Sequence, residues 1–149
     1  MEVDPQEYTQ FLAWKAQQAQ MKQRVETVRA VLEAESRAHT EDFFAPFSAD
    51  SQFWMNGSST SSGTLQGVPA MKTLFEGFMS VLVSGISVTI TNVVAAGDWV
   101  VTEAVGRAET KDGRPYNSSY VQLWRFQDSK IVEFREYLDT KLLADTFHF

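Results

Sequence analysis

The 149-residue sequence contains no cysteine and only two histidines, His39 and His148. The absence of cysteine excludes disulfides and thiolate-bound metals, and two histidines argue against a multi-histidine metal centre. We therefore expect no metal at a functional site. Nothing in the sequence indicates a nucleotide cofactor either.

The chain also lacks an excess of positive charge. It has 13 Lys and Arg against 19 Asp and Glu, a net charge of −6, and an acidic surface repels phosphate backbones. Nucleic acid is therefore not an expected partner. Apolar runs are too short to span a membrane, and Glu2, Asp4 and Glu7 stand where a signal peptide would carry positive charge. These features predict a cytoplasmic protein without a membrane segment.

Aromatic residues, in contrast, are abundant, with 11 Phe, 4 Trp and 4 Tyr in a chain that is 44% apolar. The length suits one domain, and this composition can build a sizeable core. Because aromatic side chains bury large areas, they indicate a broad core, a lined cavity or a subunit interface.

The N-terminal part of the chain reads as two helical segments. Asp4 and Pro5 are typical of a helix start, and the segment 8–23 is rich in Ala, Gln and Lys, which favour helix. From Val25 apolar residues recur every three to four positions, which predicts a helix to about Ala38. We interpret residues 1–23 as a helical extension and residues 24–149 as the main domain.

The remainder predicts one more long helix and then a run of strands. Residues 56–67 hold Gly, Ser and Thr and indicate a loop. A helix that opens at Gly67-Val68-Pro69 presents a wide apolar face that includes Phe75. Strands segregated from helices indicate an α+β fold with an antiparallel meander. The predicted strands are Ile86–Ala96, Trp99–Thr110, Tyr116–Phe126 and Ile131–Asp139.

The turn at Asp112-Gly113 sets which strand residues share a face. A two-residue turn makes Val101 oppose Trp124, and the sheet then has one bulky aromatic face and one face of small residues. Small residues beneath a helix leave space for a cavity, whereas the bulky face would be the outer one and could pack in a homodimer. In the alternative, the bulky face is the core and the small face meets solvent. The small face includes Ala104, Gly106 and Ser119.

The turn at Asp128-Ser129 decides where the last strand points. A two-residue turn places Asp139 on the bulky face, whereas a three-residue turn with Ser129 in the left-handed conformation shifts the register by one. The register set by the three-residue turn separates polar from apolar residues more completely between the two faces, and we prefer it. It brings Tyr137 and Asp139 to the small face. Glu133 and Glu136 are expected to be solvated or paired with arginines.

Several motifs resemble the SnoaL-like branch of the nuclear-transport-factor-2-like superfamily, which includes ketosteroid isomerases, polyketide cyclases and limonene epoxide hydrolases. They are Gly67-Val68-Pro69-Ala70-Met71, the 94–101 hairpin, Asp112-Gly113-Arg114-Pro115 and the segment 130–139 that ends in Tyr137-Leu138-Asp139. The resemblance covers about residues 24–147. It implies a cone-like curved antiparallel or mixed sheet wrapped by N-terminal helices around a pocket.

The resemblance also implies a role for Asp139, because a carboxylate at this position often works as acid or base in such pockets. The alternative is that Asp139 caps the following helix or pairs with a nearby cation. Where epoxide hydrolases carry an Arg and an Asp, this chain has Ala104 and Gly106, so that mechanism is not supported. Candidate ligand-binding residues are Tyr137, Trp54, Asn56, Ala104, Gly106, Ser119 and Phe75.

Two classes of function follow. The first is a cofactor-independent proton-transfer enzyme, an isomerase, cyclase or hydrolase, that acts on a small apolar molecule with Asp139 as acid or base. The second is a non-catalytic module that binds a hydrophobic ligand or dimerises.

Overall fold

The computed structural model describes residues 2–148, so Met1 and Phe149, the outer limits of the two predicted segments, lie outside it. The chain forms four helices and six strands within this range. In chain order they are α1 (Pro5–Ser36), α2 (Thr40–Phe44), β1 (Phe47–Met55), β2 (Gly63–Gln66), α3 (Val68–Val81), β3 (Ser87–Ala96), β4 (Trp99–Glu109), β5 (Pro115–Gln127), β6 (Lys130–Leu138) and α4 (Thr140–Phe147).

Helix α1 starts at the predicted signal. The Asp4 carboxylate accepts a hydrogen bond from the Gln6 N–H at 2.8 Å, and Pro5 occupies the first turn. The helix is continuous, with no break between residues 23 and 24. Residues 5–20 are exposed on all sides, whereas burial begins at Arg24. The division into an extension and a domain stays a prediction. No helix within residues 2–148 is both long and apolar enough to cross a membrane.

The six strands form one mixed sheet in the order β2-β1-β6-β5-β4-β3. Strand β1 runs parallel to β6, and all other neighbours are antiparallel. This confirms the α+β fold class and the predicted meander of β3 to β6. The segment predicted as loop 56–67 contains a short strand, β2, which extends the sheet beyond β1.

The β4–β5 register differs by one residue from the predicted one. Thr110 N–H donates to the Arg114 carbonyl at 2.8 Å, and Gly113, at φ 88°, closes a three-residue turn. Val101 therefore pairs with Leu123 rather than with Trp124. Since a shift of one residue reverses the face of every side chain, the small side chains of β4 share the inner face with the large ones of β5.

The β5–β6 register agrees with the preferred prediction but has another cause. Val121 pairs with Tyr137, as expected. Asp128, at φ 53°, takes the left-handed position that was assigned to Ser129, and a bulge next to Phe126 supplies the shift. However, the face that carries Tyr137 is the outer one. The assignment of this face to the cavity was wrong for β5 and β6.

The inner face of the sheet packs against the helices through aromatic residues. Phe43 and Phe44 of α2 contact Phe75 of α3, with ring centroids 4.6 and 5.6 Å apart. Trp124 stacks on Phe134 at 4.0 Å. These side chains fill much of the space between the sheet and the helices, and a cavity remains beside Phe43, Phe44, Phe75 and Phe134.

Candidate functional site

A cavity of about 70 Å³ lies between the inner sheet face and the four helices. Its walls come from every helix and from β1, β5 and β6. Most of the wall is aromatic or aliphatic, and four side chains bring polar groups into it. The lining residues are Glu35, Phe43, Phe44, Phe53, Met55, Met71, Leu74, Phe75, Phe78, Met79, Ile86, Tyr116, Tyr120, Phe134, Glu136, Leu138, Leu143 and Phe147.

Glu136 projects into the cavity from β6. Its strand is fixed on both sides, since Glu136 pairs with Met55 of β1 and with Gln122 of β5. The Gln122 Nε2 donates to the Glu136 Oε2 at 2.8 Å. Burial raises the pKa of Glu136 to about 7, and the hydrogen bond from Gln122 acts in the opposite direction. A carboxyl group with this pKa can accept or release a proton near neutral pH.

Glu35 brings a second carboxyl group from the last turn of α1. Its backbone carbonyl accepts from the Ile86 N–H at 3.2 Å. At Gly85 a Cβ atom would lie only 1.8 Å from the same carbonyl oxygen, so the chain can pass this close only without a side chain. Burial, and then the charge of Glu136, raise the pKa of Glu35 well above its usual range. Glu35 therefore holds its proton more tightly than an exposed glutamate does.

The two carboxyl groups act on each other inside an apolar cavity. No Lys, Arg or His lines the cavity within residues 2–148, so no cation offsets the negative charge. When two carboxyl groups share a site of low polarity, ionisation of one raises the proton affinity of the other. The two ionisations therefore oppose each other, and the hydrogen bond from Gln122 favours the charge on Glu136.

Two tyrosines on β5, Tyr116 and Tyr120, complete the polar part of the wall. Burial raises the pKa of both phenols far above the ordinary value, so both remain protonated. The two hydroxyls lie close enough for each to affect the other's pKa through hydrogen bonding, but the Tyr120 hydroxyl makes no hydrogen bond of good geometry to any described residue. Burying such a group without a partner costs free energy. An unpartnered donor at the cavity wall is a place where a ligand oxygen could bind.

The family model of the SnoaL-like domain matches residues 28–134, which is most of the chain. The chain belongs to the SnoaL-like domain family. The match includes Glu35, Tyr116 and Tyr120, and it stops two residues before Glu136. A search of curated protein sequences finds no significant match.

Solved structures share the fold of this SnoaL-like domain. A protein from Bacillus subtilis proposed to be an isomerase superposes with a TM-score of 0.77 at 18% identity, over 87% of this chain and 95% of that one. An NTF2-like protein of unknown function from Burkholderia pseudomallei gives 0.73 at 19% identity, over 85% and 98%. A protein from Catenulispora acidiphila with a ketosteroid isomerase-like fold, solved with trimethylamine, gives 0.70 at 21%, over 83% and 93%. These likenesses establish the NTF2-like fold.

Asp139 does not lie on the inner wall of this SnoaL-like domain, so its expected position was wrong. It precedes α4, is exposed, and its Oδ1 accepts from the Leu142 N–H at 2.9 Å. This is the capping arrangement that was the alternative. The strand ends one residue earlier, at Leu138, and Asp139 is not among the residues that line the cavity.

The predicted ligand-binding residues divide between the two sides of the sheet. Phe75 lines the inner cavity. The expected inner positions of Tyr137 and Ser119 were wrong, because both lie on the outer face. Trp54 also lies there, 5.1 Å from Tyr137 and beneath the Arg135 guanidinium at 4.3 Å. Its ring packs on the sheet rather than at the cavity.

The other three predicted residues shape the sheet. Ala104 faces inward and is buried, but it also borders an outer concavity of about 410 Å³ together with Asn56. The Asn56 amide bonds both the N–H and the carbonyl of Leu138, at 3.0 and 3.4 Å, so it fixes the end of β6. A Cβ at Gly106 would lie 2.7 Å from the Tyr120 ring. Gly106 therefore makes room for Tyr120 at the cavity wall.

Sequence reasoning missed both carboxyl groups of the cavity. Glu136 was expected to be solvated or paired with an arginine, yet it alternates with Phe134 and Leu138, which are inner residues. Alternate residues of a strand face the same side. A glutamate two positions from each of two large apolar residues therefore indicated a carboxylate that faces the core. Glu35 follows Leu32, Val31 and Val28 by three, four and seven residues, and these three are buried on one face of α1. The helical period therefore carried a comparable signal for Glu35.

Proposed function

We propose that this cavity is the active site of a cofactor-independent enzyme that moves a proton on a small apolar molecule, with Glu136 as the general base. The observation that supports this best is the combination of one acceptor with neutral donors in a single apolar cavity. Glu136 accepts from Gln122, whereas burial favours the protonated, neutral forms of Glu35, Tyr116 and Tyr120. Such a set suits proton abstraction next to a carbonyl group.

The step that this arrangement supports is enolisation. Glu136 takes the proton from a carbon next to the carbonyl, the C–H electron pair forms the C=C bond, and the carbonyl π electrons move to oxygen. The resulting oxyanion would accept hydrogen bonds from the Tyr120 hydroxyl and the Glu35 acid. In a β,γ-unsaturated ketone the enolate is conjugated with the second C=C bond. Return of the proton from Glu136 to the γ-carbon then moves that double bond and gives an isomer, with no net change in atoms or electrons.

Exchange of hydrogen for deuterium tests this proposal without a known substrate. Small cyclic ketones are incubated in D₂O with the protein, and loss of the α-proton signal is followed by NMR. Wild type is expected to accelerate exchange, and Glu136→Gln to lose roughly 10²–10⁴ of that acceleration, the usual contribution of a general base. Asp139→Asn is the matched control and keeps the wild-type rate. An unchanged rate in Glu136→Gln would rule out this base.

A second candidate is a binding module without turnover, and the small free volume of about 70 Å³ supports it. A ligand much larger than this must displace flexible side chains such as Met71 and Met79. In the exchange experiment, this function would appear as saturable binding of a ketone, seen as line broadening, with no exchange above the background rate.

We further propose that a second copy of the chain covers the outer sheet face. Val105, Val121 and Tyr137 are partly exposed there, at 40%, 38% and 41%, and together they border the outer concavity. Glu103 borders the same concavity, and Arg107 lies two residues beyond Val105 on the same face of β4. A face that carries both a negative and a positive side chain can pair each with its opposite on a second copy related by a twofold axis. This arrangement suits a homodimer.

A further inference from the structure

Behind Glu136 lies a chain of three hydrogen bonds whose other members do not line the cavity. The Trp124 indole Nε1 donates to the Thr102 Oγ1 at 3.1 Å, and the Thr102 hydroxyl donates to the Gln122 Oε1 at 3.0 Å. The Gln122 Nε2 then donates to the Glu136 Oε2 at 2.8 Å. Trp124, Thr102 and Gln122 are at most 1% exposed, so water does not compete for these bonds.

The direction of this chain is fixed at its far end. An indole N–H can only donate, so Thr102 must accept from Trp124. A hydroxyl has a single proton, and Thr102 therefore directs it to the remaining neighbour, the oxygen of Gln122. The amide of Gln122 consequently turns its NH₂ group to Glu136. A flipped amide would face the NH₂ group toward Thr102 and leave the threonine proton without an acceptor, which is unfavourable in a buried site.

We propose that Trp124, Thr102 and Gln122 are positioning residues that keep Glu136 a hydrogen-bond acceptor, and so decide which of the two cavity carboxyl groups is the base. This inference rests on the proposed function. No hydrogen bond is among the causes of the Glu35 pKa shift, which are burial and the charge of Glu136. Both carboxyl groups lie in similar apolar surroundings, and the difference between them is that this chain of hydrogen bonds ends on Glu136.

The groups that face Glu136 come from three elements. Glu35 lies on α1, Tyr116, Tyr120 and Gln122 on β5, and the uncharged Met55 on β1. The Glu136 charge is felt by Glu35 and by both tyrosines. Of these groups only Gln122 donates a hydrogen bond to the Glu136 carboxylate within residues 2–148. Removing the constraint on Gln122 should therefore make Glu136 bind its proton more tightly.

The test is an NMR titration of the glutamate side-chain carbons in ¹³C-labelled protein, which needs no substrate. Glu136→Gln assigns the Glu136 signal. Trp124→Phe keeps the ring stacked on Phe134 but removes the donor that fixes the direction of the chain. Its Glu136 midpoint is expected to rise by about one pH unit, a tenfold gain in proton affinity. A role of Trp124 in packing alone would leave the midpoint unchanged.

Two substitutions at Thr102 complete the experiment. Thr102→Val removes the hydroxyl and should raise the midpoint as Trp124→Phe does, whereas Thr102→Ser keeps the hydroxyl and should titrate as wild type. Wild-type midpoints in both Trp124→Phe and Thr102→Val overturn the inference. A raised midpoint together with unchanged ketone exchange in Glu136→Gln would support the positioning chain and refute the proposed function, so the two failures are distinguishable.

Discussion

Replacement of Glu136 by glutamine is predicted to stabilise the protein at alkaline pH. The folded state raises the pKa of Glu136 from 4.5 to about 7, so the folded protein binds this proton more tightly than the unfolded chain does. The stabilisation is fully present below the unfolded value near 4.5 and is lost as the pH rises through about 7. At about 1.4 kcal/mol per pH unit, this difference corresponds to roughly 3 kcal/mol of unfolding free energy.

The substituted glutamine would accept the same hydrogen bond from Gln122 without a buried charge. At pH 8.5 we expect Glu136→Gln to be more stable than wild type by about 3 kcal/mol, or roughly 10 °C in Tm for a chain of this length. At pH 5 the difference should be small. The measurement is urea or thermal unfolding followed by circular dichroism between pH 5 and 9.

The control for this series is Glu76→Gln, which removes an exposed carboxylate from α3, away from the cavity and from the outer sheet face. It should leave the pH dependence of wild type unchanged. Glu35→Gln should act in the same direction as Glu136→Gln, because burial raises its pKa as well. The reasoning fails if the unfolding free energy of wild type does not fall between pH 5 and 8.5, or if Glu136→Gln gains the same stability at both ends of the range.

Two further outcomes follow from the packing. Gly85→Ala would place a Cβ 1.8 Å from the Glu35 carbonyl and should lower the unfolding free energy by more than about 3 kcal/mol. Gly77→Ala, in open space on α3, should instead raise it by about 0.5–1 kcal/mol through helix propensity. Equal unfolding free energies of the two variants in urea would contradict this reasoning. Val121→Asp should convert a homodimer into a monomer in size-exclusion chromatography with light scattering, and a wild-type monomer would refute the proposed dimer.

The fold could be predicted from the sequence because strand length, turn residues and helix starts are local signals. Asp4 and Pro5 start α1 as predicted, and the β3 to β6 meander was recognised from its turns. Such features depend on a few neighbouring residues, so a single sequence carries them.

The functional site could not be predicted from the sequence because it depends on strand register. One additional residue in the turn that ends at Gly113 moved every β4 side chain to the opposite face relative to β5. For β6 the pairing was right, but the choice of inner face was wrong. The sequence prediction therefore placed Tyr137 at the cavity, where the structure has Glu136. Alternation defines two faces equally well, and only tertiary packing shows which of them the helices cover.

The continuity of α1 sets the orientation of its exposed end. An α-helix turns by about 100° and rises by about 1.5 Å per residue, so the direction in which Tyr8, Phe11 and Trp14 point is determined by the number of residues between them and Arg24. Insertion of one residue in this interval would leave Glu35 in place and rotate the aromatic end by about 100°. The length of this exposed segment therefore specifies both how far its aromatic end reaches from the sheet and the side to which that end points.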